Sequence, residues 1–266
     1  MQTDGQVQEF HVSVDTSKEG EITPVTLLAD ASGLSKGQIK EAMLKGAVWH
    51  TRAGRTQRVR KAKKILKPGD EVHLYYNRDI LQETPPQAQL IADEVAYSVW
   101  YKPYGMYSQG SKWGDHCTIS RWVETHLQPQ RPAFIIHRLD RAASGLILIG
   151  HTKTATRALA KMFEQRRLSK IYQVVAEGEF PHAEQALTIS SPIDGKPAQS
   201  HARALCYDSQ NNRSLVEVKI DSGRKHQIRR HMAELGYPVV GDRLHGNNTS
   251  HNRDLQLSAH ELSFTC

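Results

Sequence analysis

His137-Arg138-Leu139-Asp140-Arg141-Ala142-Ala143-Ser144-Gly145 is a polar loop set between two apolar runs, Ala133-Phe134-Ile135-Ile136 and Leu146-Ile147-Leu148-Ile149. Runs of that length, bounded by polar residues, read as strands, the second of them buried. A carboxylate flanked by arginines is kept ionised by its neighbours, which suits a nucleophile or a base. The structural alternative is a salt-bridged loop aspartate that caps backbone amides.

Working outward, Thr152 can cap a helix whose Ala155, Ala158, Leu159, Met162 and Phe163 fall on one stripe, with Arg157, Lys161, Gln165 and Arg166 opposite. Lys170-Ile171-Tyr172-Gln173-Val174-Val175-Ala176 follows as a strand, and Gly195-Lys196-Pro197-Ala198-Gln199-Ser200 as a turn. Val216, Val218 and Ile220 alternate with Glu217 and Lys219 in a further strand. Ser222 to Met232 then enters a helix that buries Ile228, Met232 and Leu235, turns its basic side chains elsewhere and ends at Gly236. Basic residues at a helix start oppose the macrodipole, so an anionic partner for them is expected. Upstream, Tyr97-Ser98-Val99-Trp100-Tyr101 is a strand delivering the turn Lys102-Pro103-Tyr104-Gly105. Many strands, few helices and little strict strand-helix-strand alternation make the fold class α+β with a mixed, mainly antiparallel central sheet.

The positive charge is concentrated elsewhere. The chain has 35 basic and 28 acidic residues, a net +7, yet the stretch Lys36 to Lys67 alone carries eleven basic residues against Glu41. Such a patch on an otherwise balanced protein is the footprint of a nucleic-acid binder, with a solvated charged face as the alternative. Ser35 to Gly46 reads as a helix with Ile39, Met43 and Leu44 on one stripe. Ala47-Val48-Trp49 is a short strand, Lys67-Pro68-Gly69-Asp70 a turn, and Glu71 to Tyr76 an alternating strand. From Arg78 to Gln89 the chain is polar, carries Pro85-Pro86 and lacks an apolar period, as a linker would.

Composition excludes several classes. The longest aliphatic stretch, Leu146 to Ile149, is far too short to span a bilayer, and the polar opening Met1 to Gln8 lacks the pattern of a secretory signal, so a cytoplasmic protein is expected. Cys117, Cys206 and Cys266 are widely spaced and read as reduced thiols. Fourteen histidines form no His-Glu-x-x-His, and no metal site is expected. A kinase reading of His137-Arg138-Leu139-Asp140 fails on its extra leucine and the lack of a glycine-rich phosphate loop.

Two resemblances combine these features. Residues 25 to 76, with Ser35-x-x-x-Ile39, Lys45-Gly46-x-Val48 and Lys67-Pro68-Gly69-Asp70, resemble the α-L RNA-binding module of ribosomal proteins and RNA-modifying enzymes, although Trp49-His50-Thr51 stands where Val-Asn-Gly is usual. The rest of the chain resembles the RluA family of pseudouridine synthases. The residues that carry this are His137-Arg138-Leu139-Asp140-x-x-x-Ser144-Gly145, Lys170-x-Tyr172, Gly195-Lys196-Pro197-Ala198-Gln199, Gly223-Arg224-x-His226-Gln227-Ile228-Arg229-x-His231 and Gly236-Tyr237-Pro238-Val239-Val240-Gly241-Asp242. Departures are Ala143 where threonine is usual and Tyr101-Lys102-Pro103-Tyr104-Gly105 in place of Asn-Lys-Pro-x-Gly.

The resemblance implies a tail over 1–20, an α-L domain over 21–77, a linker over 78–89 and a catalytic domain over 90–266, whose active site is a basic cleft across the sheet. It implies a cofactor-free isomerisation of uridine in RNA, large-subunit ribosomal RNA before transfer RNA, by a protein that need be no more than a monomer. Asp140 matches the essential aspartate, Arg229 its basic partner and Tyr172 the residue that stacks on the loosened base. Arg138 matches the side chain that enters the RNA as the base leaves the stack, and Arg224 and His226 take phosphate or structural roles. Lys36, Lys40, Lys45, Arg52, Arg55 and Arg58 are expected to bind RNA through the first domain. The rival from another class is an RNA-binding protein or chaperone without catalysis.

Overall fold

Two capped turns organise the first part of the chain. Thr23 accepts the backbone N–H of Thr26 at 3.3 Å and is followed by Pro24, so α1 (Pro24–Ser32) starts there. Ser35 and Gln38 exchange side-chain-to-backbone bonds at 3.2 and 3.0 Å, a reciprocal box that starts α2 (Lys36–Leu44). The computed structural model describes residues 7–15, 21–182, 185–246 and 253–264. Residues 1–6 and 16–20 of the expected tail, and Cys266, lie outside the described residues.

The chain divides into two compact units, Met1–Pro85 with Gln109–Trp122, and Pro86–Ser108 with Val123–Cys266. In the first, β1 (Val7–Ser13), β2 (Val48–Arg52), β3 (Arg55–Arg58) and β4 (Glu71–Asn77) form an antiparallel sheet in the order β1-β4-β2-β3. Leu28, Ile39, Met43, Val48, Val72 and Leu74 are its buried core. Four readings from the sequence change here. The expected tail contains β1, whose alternation places Phe10 and Val12 against the core while Glu9 and His11 face away. Leu44 is 61% exposed and Ala42 takes its place inside α2, because three- and four-residue spacing from Ile39 selects 42 and 43. The expected linker contains α3 (Arg78–Gln82), capped by Asn77 on the Ile80 N–H at 3.1 Å and anchored by buried Leu81. Residues 109–122, expected in the second domain, belong to the first unit, where Trp49 donates to the Lys112 carbonyl at 3.0 Å and Asp115 pairs with Arg60.

The second unit is built on a nine-stranded sheet. Its strands are β5 (Gln89–Asp93), β6 (Tyr97–Lys102), β7 (Phe134–Ile135), β8 (Ser144–Gly150), β9 (Leu168–Glu177), β10 (Leu187–Ile189), β11 (Ser200–Asp208), β12 (Arg213–Ile220) and β13 (Leu257–Phe264). The order is β10-β11-β12-β9-β13-β8-β6-β5, with β7 paired to β8. Every pairing is antiparallel except β13 with β8. The expected α+β class with a mainly antiparallel sheet is therefore the fold.

Gly145 makes the parallel pairing possible. At φ 109° it opposes Ala259, and a Cβ there would lie 2.3 Å from the Ala259 oxygen and 2.4 Å from its nitrogen. Three helices complete the elements: α4 (Ile119–His126), α5 (Lys153–Glu164) and α6 (Gln227–Glu234). Thr152 caps α5 on the Ala155 N–H at 3.1 Å as expected, and Leu159 is buried while Ala158 is exposed. Ile228 and Met232 are buried on α6 as expected, but so are Gln227, Arg229 and His231. The basic face read as exposed is partly internal, because each of these polar groups has a partner within the fold. Among the described residues, no helix is long and apolar enough to cross a membrane.

Candidate active site

The loop between β7 and β8 is held at several points. His137 stacks on Phe163 with ring centroids 4.4 Å apart, and its Nε2 accepts the Leu148 N–H at 3.1 Å. Burial pushes its imidazole down to about 3, so it is a neutral acceptor. Leu139 donates its N–H to the Ser108 hydroxyl at 3.0 Å and accepts from it at 2.7 Å. Arg141 accepts the Gly105 N–H on its carbonyl at 2.9 Å, donates Nε to the Gly105 oxygen at 3.1 Å and lies over the Tyr107 ring. Asp140 sits between these anchors, its side chain about one-third exposed.

Beside the neighbours of the loop, a cation reaches Asp140 from a distant element: Arg229 on α6, whose Nη1 is 3.8 Å from Asp140 Oδ2. That guanidinium is fixed from behind by Asp242, to which it donates Nε at 2.7 Å and Nη2 at 2.5 Å. Asp242 also accepts the N–H groups of Leu244 and His245 at 2.9 and 3.0 Å. Burial works to raise the Asp242 carboxyl, but Arg229 and the two backbone donors outweigh it and hold the group below the usual carboxylate range. Both partners of the pair are buried, with side-chain exposures of 5% and 0%, so the bidentate geometry is needed to offset their desolvation.

Asp140, Tyr172, Arg229, Arg138, Arg224 and His226 line one cavity of about 100 Å³, with Leu139, Ile228 and Leu257 as apolar wall. All three residues expected to be catalytic are thus brought together, along with three expected to contact RNA. The sheet order explains the meeting, since β8 and β9 flank β13 and carry Asp140 at the entry of one and Tyr172 within the other. Burial first, and then the charge of Asp140, pushes the Tyr172 phenol up to about 12, so it stays protonated. Arg224 donates Nε to the Pro197 carbonyl at 3.1 Å, which ties the turn before β11 to the start of α6. Gln227 strengthens this by accepting from Ser222 and donating to the Gln199 carbonyl, both at 2.8 Å. Arg138 is exposed beside the cavity.

Sequence reasoning passed over Lys102, Asp242 and His245 as site residues. Lys102 was read as part of a turn, yet it is fully buried and donates to the carbonyls of Pro103 and Met106 at 3.1 and 2.9 Å. Burial lowers its ammonium to about 8, with Asp140 pulling the other way. The signal was present in the period of β6, which turns Ser98, Trp100 and Lys102 inward together. Asp242 stands at the end of the Gly236–Asp242 motif, but nothing there shows Arg229 as its partner, and His245 carries no signal.

The six basic residues of the first unit expected to bind RNA divide into two groups. Lys36 and Lys40 on α2 and Arg55 on β3 are exposed. Arg52 instead makes a bidentate bond with buried Asp70 at 2.6 and 2.5 Å, and this pairing leads the forces holding Asp70 far below the usual carboxylate range. Arg58 donates to the carbonyls of Gly46 and Ser111 and stacks over Trp49. Lys45 bonds Glu41 at 2.7 Å and the Leu81 carbonyl. The first three point charge at solvent, whereas the other three, Arg52 still exposed among them, are partnered within the unit.

Comparison with known proteins agrees with this geometry. Residues 96–234 match the model of the family described as RNA pseudouridylate synthase. An uncharacterized RNA pseudouridine synthase of Chloroflexus aurantiacus is 37% identical over 147 residues, covering 50% of this chain and 45% of that protein. The dual-specificity RNA pseudouridine synthase RluA of Vibrio parahaemolyticus is 29% identical over 68% of this chain and 79% of its own. Human RNA Pseudouridylate Synthase Domain Containing 1 shares the fold, with a TM-score of 0.57 at 22% identity over 66% of this chain and 78% of that one. The match to the Chloroflexus protein thus spans less than half of that relative's length.

Proposed function

The chain belongs to the RluA-type family of RNA pseudouridine synthases, and from that premise we propose that it converts uridine in structured RNA to pseudouridine, with large-subunit ribosomal RNA as substrate. The observation that carries the reading is Asp140, partly open to a cavity and 3.8 Å from an arginine that is itself locked to a buried aspartate. A nucleotide flipped into the cavity expels water from Asp140, and the fixed charge of Arg229 then offsets the solvation the carboxylate loses. The N1 to C1′ bond breaks against this charge, the uracil turns, and C5 joins C1′. C5 then loses its proton and N1 gains one, so the reaction is an isomerisation. Tyr172, protonated and flush with the cavity wall, offers a face on which the loosened base stacks. Arg138, exposed at the cavity, would fill the gap left in the RNA. Lys36, Lys40 and Arg55 supply positive charge for the backbone of a structured RNA.

The test is tritium release from RNA labelled at uridine C5, using the protein and Asp140→Ala with ribosomal and transfer RNA as separate substrates. Release from ribosomal RNA by the unaltered protein alone is expected. Release from transfer RNA only would overturn the substrate assignment, and none from either, despite salt-sensitive binding, would overturn the activity.

A further inference from the structure

Two cavities of the second unit share a wall. Arg224 and Gln227 line the one that holds Asp140, and both bond across to residues that line the other: Arg224 to the Pro197 carbonyl at 3.1 Å and Gln227 to the Gln199 carbonyl at 2.8 Å. The second cavity has a volume of about 200 Å³, against about 100 Å³ for the first. Its lining includes two charged side chains of opposite sign, Asp221 and Arg166. Asp221 follows β12 and donates its backbone N–H to the Gln199 carbonyl at 3.2 Å. His201, itself 3.0 Å from the Thr188 hydroxyl, lies 3.0 Å from Asp221 Oδ2 and orients the carboxylate from one side. Among the described residues, Asp221 Oδ1 has no hydrogen-bond partner. Arg166 stands one residue past the cap of α5, in the left-handed region at φ 55°. It is exposed, and its guanidinium makes no hydrogen bond or ion pair among the described residues.

We propose that the second cavity takes a guanine base adjoining the target uridine in the RNA, an inference that rests on the pseudouridine reading above. A uridine turned out of its stack into the Asp140 cavity leaves its neighbour one phosphate away and unstacked on that side. The shared wall puts a second recess next to the first, where that neighbour needs a place. Unstacked bases in RNA are read by hydrogen bonds to their edges. Guanine sets two N–H donors, on N1 and N2, side by side, and carries two acceptors, O6 and N7, on the adjoining edge. A carboxylate receives the donors and a guanidinium serves the acceptors, which is the pair that Asp221 and Arg166 present. Pro197 adds an apolar wall for the face of the ring.

Other occupants match this lining less well. Adenine places the bare acceptor N1 beside its amino group, so a carboxylate that meets the amino group also faces a lone pair. Uracil has one donor, N3, between two carbonyl oxygens, and both would face Asp221 with it. Cytosine offers a single amino donor and lacks the second ring that the larger volume accommodates. A phosphate would bond Arg166 and be repelled by Asp221. Guanine alone among these uses both charges without setting like against like.

The experiment maps the uridines that the full chain modifies in ribosomal and transfer RNA transcripts, and then varies both neighbours of each modified uridine. Guanine is expected on one fixed side, with the other bases there slowing pseudouridine formation about 10-fold. Inosine lacks the N2 amino group, and placing it there should slow the reaction without any change to the protein. Asparagine pairs with adenine, so Asp221→Asn should move the preference from guanine to adenine. Arg166→Gln should weaken the preference for guanine. Both variants are expected to keep the rate of the unaltered chain on transcripts without the guanine. A modified uridine with no adjoining guanine, equal rates with guanine and inosine, or a guanine preference that survives in Asp221→Asn overturns the base site. Faster reaction of Asp221→Asn on every transcript would mark a phosphate site and overturns it as well. Failure of the unaltered chain to form pseudouridine in either RNA would instead overturn the functional reading, so the two failures are distinguishable.

Discussion

Replacing Asp242 by asparagine removes one charge and almost no volume, yet it strikes the most constrained point of the site. The two carboxylate oxygens receive four donors: Arg229 Nε and Nη2 and the N–H groups of Leu244 and His245. Asparagine has one acceptor oxygen and an NH₂ group that must face either Arg229 or the two backbone N–H groups, so donors meet donors on one side. The Arg229 charge, 5% exposed, then keeps only the partly exposed Asp140, 3.8 Å away, as counter-ion. Breaking a buried pair from one side costs about 3–5 kcal/mol. For a unit of this size that is roughly 6–20 °C in Tm. Thermal unfolding at pH 7, followed on the transition of the second unit, measures it. Activity at a temperature where the variant is folded should fall about 100-fold, because the cation behind Asp140 loses its position. The pH dependence has a definite sign. Asp242 has a folded pKa held below its unfolded value, so its contribution is present above about pH 4 and is lost as pH falls through the folded value. The difference between the two proteins should therefore shrink in acid. A variant within about 2 °C of the unaltered chain at pH 7 would refute the claim that this pair fixes Arg229.

Lys102 has a folded pKa of about 8, lowered by burial from 10.5, so between those values the unfolded chain holds a proton that the folded chain has released. Stability should rise with pH across that window by about 3 kcal/mol, and urea unfolding of Lys102→Met should lack this rise; equal slopes would refute it. Gly145→Ala puts a Cβ 2.3 Å from the Ala259 oxygen at φ 109°, and is expected to cost about 2–5 kcal/mol by thermal or urea unfolding. Replacing Lys36, Lys40 and Arg55 together by serine should reduce the slope of log affinity against log salt by about 2–3 in an RNA-binding titration while leaving Tm nearly unchanged. Arg52→Ala, by contrast, should lower thermal stability, since Asp70 stays buried without its bidentate partner.

The parts of this molecule legible in the sequence are those whose cause is local. The box of Ser35 and Gln38, the cap of Thr152 and the alternation of Val216, Val218 and Ile220 each act within a few residues, and each element appears where the pattern places it. What was illegible depends on a distant partner. The pairing of β13 with β8 joins residues 114 positions apart, and only Gly145 hints that another backbone comes close. The expected linker failed because polarity was read as solvent exposure, whereas Asn77 caps a helix that seats Leu81 in the core.

The same reasoning explains why the site was legible by residue type and not by geometry. Asp140 was read as a carboxylate tuned by Arg138 and Arg141, its neighbours in the chain. In the fold, Arg141 also bonds Gly105 and lies over Tyr107, and Arg229 is brought from α6 to 3.8 Å from Asp140. An arginine on a helix, doubly bonded to an aspartate with no exposed surface, keeps its place while water leaves the cavity. Pattern rules assign charge to the outside of a helix because an unpaired buried charge is prohibitive; Asp242, thirteen residues after Arg229, removes that prohibition. The buried pair is thus what allows a positive charge to stand fixed behind a partly open carboxylate.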